Sequence, residues 1–194
     1  MAVTPAGTPY VESSDNVADY PGVSLALANH IDDTAGKVLQ VVSTAKTDTF
    51  STSSASMTDL TGVSQTITPS STSNKILVIV SISYGYSTTG TNPRFLLLRN
   101  STAICVGGAA GSRPRFTTGG NSGADVNAAT LLALSSIQVT FLDSPATTSS
   151  VTYKMQGASS AGVLYLNRSG TDADNTNSVS ARAATTITLM ELSA

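Results

Sequence analysis

The sequence has little charge, one histidine, one cysteine and no tryptophan. Each shortage closes off a class of function. With Cys105 alone there is no intrachain disulfide and no cysteine-based zinc site. With His30 alone there is no cluster of imidazoles to hold a metal or shuttle protons. Only 11% of the 194 residues are charged and the net charge is −2. No basic stripe is available to track a phosphate backbone, so nucleic acid is not an expected partner. No apolar run approaches the roughly 18 residues that span a bilayer, so membrane insertion is not expected. The N-terminus lacks a basic stretch followed by an apolar one, which predicts no signal peptide. An unpaired cysteine fits synthesis in a reducing cytoplasm. Coiled-coil heptads, internal repeats and triple-helix patterning are also missing.

What is present is strand. Apolar runs such as Lys75-Ile-Leu-Val-Ile-Val-Ser-Ile-Ser-Tyr84 alternate with tracts of Ser, Thr, Gly and Asn. Strands are expected near residues 37–43, 54–59, 63–68, 75–86, 94–99, 102–107, 129–142, 150–157, 162–167 and 182–192, each rich in β-branched or aromatic residues and bounded by turn formers. Arg99-Asn-Ser-Thr102 reads as a hairpin tip. Many short strands without alternating helices predict an all-β, jelly-roll-like antiparallel sandwich over residues 37–194. Ser and Thr supply 57 of the 194 residues. They solvate outer strand faces without charge.

Residues 1–36 read differently. They hold Pro5, Pro9 and Pro21 and one short helix near residues 23–31. There Ser24 can cap the start, and Val23, Leu27 and Ile31 recur at four-residue spacing on one face. So short a helix is marginal alone, so its stripe must dock on the β domain or on another subunit.

The strand patterns also bear on assembly. In Val151-Thr-Tyr-Lys-Met-Gln156 apolar and polar residues alternate, as in a strand with one wet face. The segments around Leu96 and Leu98, and around Leu164 and Leu166, are apolar on both faces. These four leucines are therefore candidates for a subunit interface.

Few residues suggest chemistry. His30, beside Asp32 and Asp33, reads as a polar residue at a helix end. Cys105 reads as an inert, buried thiol in a strand. Glu12, Asp15 and Asp19 are scattered. The stretch from Asp172 to Ser178 is oxygen-rich but lacks the glycine and closing glutamate of a calcium loop, and reads as a solvated turn. No cofactor and no catalytic set is expected. The long Gly-rich stretch 107–123 carries Arg113, Arg115 and Phe116. It is a candidate receptor contact or subunit contact, because long loops on a rigid β frame often carry recognition.

Three stretches carry a family resemblance. Residues 7–32, with Tyr10, Pro21 and His30, resemble the N-terminal segment of tail-fibre-like proteins of tailed bacteriophages. Residues 36–42 with 66–78, and Phe141–Pro145 with Tyr165–Gly170 and Thr185–Glu191, resemble a β-rich module of phage fibre and decoration proteins. The resemblance implies a non-enzymatic virion protein with a jelly-roll head and a homotrimeric state. It implies a short tail fibre or adhesin, fixed to another virion protein by residues 1–36 and presenting its head to a host surface glycan or protein. The alternative it leaves open is a capsid decoration or cement protein.

Overall fold

The computed structural model describes residues 2–3, 9–10, 37–88, 91–120, 134–176 and 180–194. The expected helix, with Val23, Leu27 and Ile31, lies outside the described residues, as do His30, Glu12, Asp15 and Asp19. Near the N-terminus β1 (Ala2–Val3) pairs antiparallel with β2 (Pro9–Tyr10). The body follows as β3 (Val38–Lys46), β4 (Phe50–Thr52), β5 (Thr58–Ile67), β6 (Lys75–Tyr86), β7 (Pro93–Arg99), β8 (Thr102–Ile104), β9 (Thr118–Gly119), β10 (Ser135–Asp143), β11 (Val151–Ser159), β12 (Leu164–Leu166) and β13 (Thr185–Leu192). No α-helix occurs among the described residues.

Two antiparallel sheets face each other. In the first, β10 lies on one side of β6. The other side of β6 is shared end to end by β13, which leads on to β3, and by β12, which leads on to β4. The second runs β5-β11-β7-β8, with β9 beside β8 along β7. Count β3, β5, β6, β7, β8, β10, β11 and β13 as first to eighth. One sheet then reads first, eighth, third, sixth, and the other second, seventh, fourth, fifth. That wrap is the jelly roll.

The period-two pattern sets which side chains face inward. Ile76, Val78, Val80 and Ile82 of β6 meet Phe95 and Leu97 of β7, Tyr153 and Met155 of β11, and Ile187 and Leu189 of β13 in one core. Tyr84 sets its ring edge-on to Phe95 at 5.4 Å, a geometry that suits the aromatic quadrupole. At roughly 2 kcal/mol for each fully buried large apolar side chain, this core is the main stabilising term.

The expected strand at 63–68 and the last two residues of that at 54–59 are one strand, β5, broken by a bulge, while residues 54–57 are not strand. Opposite β11, Lys154 pairs with Ser64 and Gln156 with Asp59, so the register slips between them. Gly62 takes a left-handed φ of +85° in the slip, and the Lys46 stem packs on its bare Cα. The slip turns Leu60 and Val63 both inward. A second slip in β13 against β3, between Glu191 and Leu192, leaves Leu39 as an extra residue. The hairpin tip is as expected. Arg99 faces Thr102 and Asn100 turns the chain at a φ of 54°. Strand β8 stops at Ile104, earlier than expected. Cys105 follows it half-buried with a φ of 53°, against the edge of the core.

Two buried acids, both in register with Ile76 of β6, fasten one end of the sandwich. Glu191 of β13 accepts from the Ser70 backbone N–H (2.7 Å), Ser70 Oγ (2.8 Å), Asn74 Nδ2 (2.6 Å) and Gln40 Nε2 (2.5 Å). It thereby ties the turn before β6 to both neighbouring strands. Burial alone would raise its pKa. The donors of Asn74, Gln40 and Ser70 outweigh burial and hold the carboxyl at about 2. Asp143 accepts from Tyr153 Oη (2.6 Å) and from Arg99 Nη1 (3.0 Å), which bridges the two sheets. Burial, followed by the bond and charge of Asp143, pushes the Tyr153 phenol far above its ordinary range.

Candidate functional site: a cleft beside the glycine-rich arm

The chain between β8 and β9 forms an arm that folds back on β7. Its return is fixed by backbone bonds. Thr117 N–H donates to the Phe95 carbonyl (2.9 Å), Gly120 N–H to the Pro93 carbonyl (3.0 Å) and Gly107 N–H to the Phe116 carbonyl (3.4 Å). Thr117 Oγ1 accepts from Leu97 N–H at 2.9 Å and so takes the place of a strand partner. Glycine is needed at the base of the arm. A Cβ on Gly119 would sit 2.9 Å from the Pro93 carbonyl oxygen, and one on Gly120 would collide with the Tyr84 hydroxyl.

Between this arm and the start of β7 opens a cleft of about 470 Å³, lined by Asn92, Pro93, Arg94, Pro114, Phe116, Gly119, Gly120 and Ser160. Phe116 is half-buried, and its ring lies against Gly119. Arg94 is held by a bond from Nη2 to the Ala55 carbonyl (2.8 Å), while its Nε is buried without a hydrogen-bond partner. Ser160 Oγ accepts from Asn92 N–H at 3.0 Å, closing the rim opposite the arm. The lining is an aromatic face, two glycines and two prolines, with a guanidinium, an amide and a hydroxyl at the edges. Such a set can stack on a ring and hydrogen-bond to its substituents. Among the described residues the lining carries no carboxylate, imidazole or thiol.

Of the three arm residues singled out from sequence, Phe116 lines the cleft. Arg113 and Arg115 are exposed and brace the arm instead. Arg115 Nε donates to the Gly107 carbonyl (2.6 Å) and Arg113 Nη1 to the Ala110 carbonyl (3.3 Å). The cleft's guanidinium is Arg94, and Asn92 and Ser160 join it from outside the expected strands. In sequence Asn92-Pro-Arg94 lies 22 residues before Phe116. Nothing local signals that the arm returns to it.

The four leucines proposed for a subunit interface separate. Leu164 and Leu166 are fully buried in the core of the single chain. They alternate with Tyr165, which faces outward, so β12 is one-sided. Leu96 and Leu98 face outward from β7. Leu96 is half-buried beside Gln156, and Leu98 is buried between Lys154 of β11 and Ala103 of β8.

A second, smaller hollow of about 170 Å³ lies over Thr49, Phe50, Ser51, Tyr165 and Arg168. The Arg168 guanidinium stacks 3.8 Å from the Tyr165 ring centre and pairs with Asp172 at 2.7 Å. Asp172 also pairs with Arg182 at 2.8 Å. The oxygen-rich stretch read as a solvated turn thus spends its first carboxylate on two arginines. No group of three or more His, Cys, Asp or Glu side chains that could hold a metal occurs among the described residues. No helix among them is long and apolar enough to cross a membrane.

No protein-family model matches the chain, and no curated protein matches it. Among solved structures, it is similar to a mutant VP2 protein of infectious bursal disease virus in derived T=1 particles. The identity there is 13%, the TM-score 0.43, and the alignment covers 84% of this chain and 38% of that one. It is also similar to VP2 in a subviral particle of the same virus, at 9% identity and a TM-score of 0.41, covering 79% of this chain and 40% of that one. The Gt strain of that virus gives 13% identity and a TM-score of 0.40, over 84% and 39% of the two chains. The chain thus spans about two fifths of the length of the structures it is aligned with.

Proposed function

We propose that the protein is a non-enzymatic structural component of a virion, a short tail fibre or adhesin of a tailed phage that binds a host surface glycan. The observation that carries this reading is the cleft. An aromatic ring opens beside the Arg94 guanidinium, and the base of the arm has glycines where a side chain would fill the space. Phe116 would stack on a pyranose face. Asn92, Arg94 and Ser160 would meet its hydroxyls. A single exposed stack or bond contributes on the order of 1 kcal/mol, so adhesion would come from several copies acting together, as in the homotrimer the sequence resemblance implies. Residues 1–36 would fix the protein to another virion protein.

The test is host adsorption by particles carrying Phe116→Ala. Adsorption is expected to fall several-fold while sedimentation and circular dichroism of the purified protein stay unchanged. Arg113→Ala and Arg115→Ala should act more weakly, because those side chains brace the arm. Unchanged adsorption with Phe116→Ala rejects the cleft as the receptor site. Labelling intact particles decides between tail and shell. Label on the shell replaces the adhesin reading with a capsid decoration protein. Particles that still take up protein lacking residues 1–36 would remove the anchoring role.

A further inference from the structure

All four large apolar side chains that the described residues leave exposed lie on one surface. Val38 is 54% exposed, Leu39 46%, Val41 53% and Leu142 46%. The ladders place Val38, Val41 and Leu142 on the outer face of the β10-β6-β13-β3 half of the first sheet, and Leu39 is the unpaired bulge residue next to Val38. Val41 faces Met190, Met190 faces Leu77, and Leu77 faces Leu142, so one apolar row crosses four strands. Leu192 and Val38 form the next row toward the sheet's end, and Ile79 extends the patch the other way. The face turns polar in that row, where Thr140, Thr188 and Ser43 are in register with Ile79, and stays so at Ser81, Thr186 and Gln138.

The patch has a measurable size. Four strands about 4.8 Å apart give a width of about 14 Å, and two or three rows give a similar length. That is roughly 200 Å², well short of the roughly 800 Å² each partner buries in a stable protein interface. A second copy seated here alone would bind weakly. A nine-residue helix, about 13 Å long and 10 Å across, matches the footprint.

The chain carries such a segment next to the patch. Lys37 is fixed at the rim by two bonds with the last strand's extension. Lys37 N–H donates to Ser193 Oγ (2.9 Å), and Ser193 N–H donates to the Lys37 carbonyl (2.9 Å). The segment just before it has Val23, Leu27 and Ile31 at one-face helical spacing. From Ile31 to Lys37 the chain can reach about 20 Å, enough to cross the whole patch. Asp32 and Asp33 end the segment, and exposed Lys75 sits at the patch's border opposite Leu192.

We infer that residues 23–31 lie as a helix across this face, seating Val23, Leu27 and Ile31 on Val41, Met190, Leu77 and Leu142. The apolar stripe and the apolar face then complete each other within one chain. Residues 1–22 remain available for a partner. The inference does not depend on the virion reading.

The test is cross-linking in the full chain, with Cys105→Ala as background and a short bis-maleimide as probe. Leu27→Cys with Val41→Cys should give an internal link whose yield does not change with protein concentration, because a tethered segment has a local concentration of about a millimolar. Asn29→Cys, on the opposite helical face, should link to Val41→Cys several-fold more slowly. Links between chains that grow with concentration would overturn the inference and assign the face to a second copy. Absence of any link would also overturn it. A full-chain Leu27→Asp variant gives an independent readout, since it leaves the core of the sandwich untouched. Its binding of an apolar fluorophore should rise several-fold with an unchanged β spectrum, and an unchanged fluorophore signal would reject the docking.

Discussion

The two sheets of the sandwich share one core but finish their outer faces in opposite ways. Outside β5, β11 and β7 the surface is a polar network. Lys154 bridges to Asp59 at 2.7 Å, Gln156 donates to Asp59 at 2.8 Å, and the hydroxyls of Thr66 and Thr152 bond at 2.8 Å. Its two large apolar residues, Leu96 and Leu98, are half-buried and buried among their neighbours. Outside β6, β13 and β3 the same alternation delivers Leu77, Met190 and Val41 to the surface in one row, beside a single hydroxyl pair of Ser43 and Thr188 at 2.8 Å among the described residues. The first face suits water, and the second suits the cover inferred above.

The largest effect tests the boundary between inside and outside. Leu164→Asp places a carboxylate in the core without a partner and is expected to cost more than about 4 kcal/mol, enough to unfold the domain. Leu96→Asp, on the outer face of the other sheet, should cost about 1 kcal/mol or less. Urea titration of both variants measures the gap. Equal costs would mean that the outer face of β7 is buried in an assembly, which is what a subunit interface there requires.

The next effect belongs to Glu191, on the inner side of the strand whose outer side carries Met190 and Leu192. Its carboxyl is held at about 2 against an ordinary 4.5. A depressed pKa stabilises the fold above the unfolded value, and that contribution is lost as pH falls from about 4.5 toward 2. The span corresponds to about 3 kcal/mol. Glu191→Gln should remove most of this pH dependence and lower stability at neutral pH, because the amide can no longer accept from Ser70, Asn74 and Gln40 together. Urea midpoints at pH 7, 4 and 3 check both statements.

Asp59 sharpens the polar side of the comparison. The hydrogen bond from Lys154 and then that from Gln156 hold its carboxyl below the ordinary range. Its stabilising share is present above that range and lost as pH falls through it. The carboxylate is half exposed, so Asp59→Asn should cost less than about 1 kcal/mol, and less still in high salt. A thermal melt at two salt concentrations measures it.

Much of this arrangement can be read from the chain. The 75–86 run is strand β6 to the residue, and the Arg99-Asn-Ser-Thr102 tip is a true hairpin, because alternation and turn chemistry are local. The break at Gly62 was read as two strands because a bulge and a loop look alike until the partner strand is known. The double-sided look of Leu164 and Leu166 came from Tyr165 between them, whose ring faces outward against a guanidinium. Arg94 and Ser160 could not be grouped with Phe116, since only the return of the arm along β7 brings them together. Phe116 itself was legible as an aromatic among glycines.

The smallest effect is the most discriminating for the apolar face. Val41→Thr keeps the branched shape that β-strands favour and adds a hydroxyl at a position 53% exposed. On a bare face it should change stability by no more than about 0.5 kcal/mol. Under a docked helix the hydroxyl would lose water and cost about 1 kcal/mol more. Measuring Val41→Thr in the native chain and again with Leu27→Asp already in place closes a double-mutant cycle. A coupling of about 0.5 kcal/mol or more is expected if the two positions touch, and additivity within error is expected if they do not. Because neither substitution reaches the core, the cycle isolates the cover from the fold beneath it. A null coupling would leave the apolar face to a partner outside this chain.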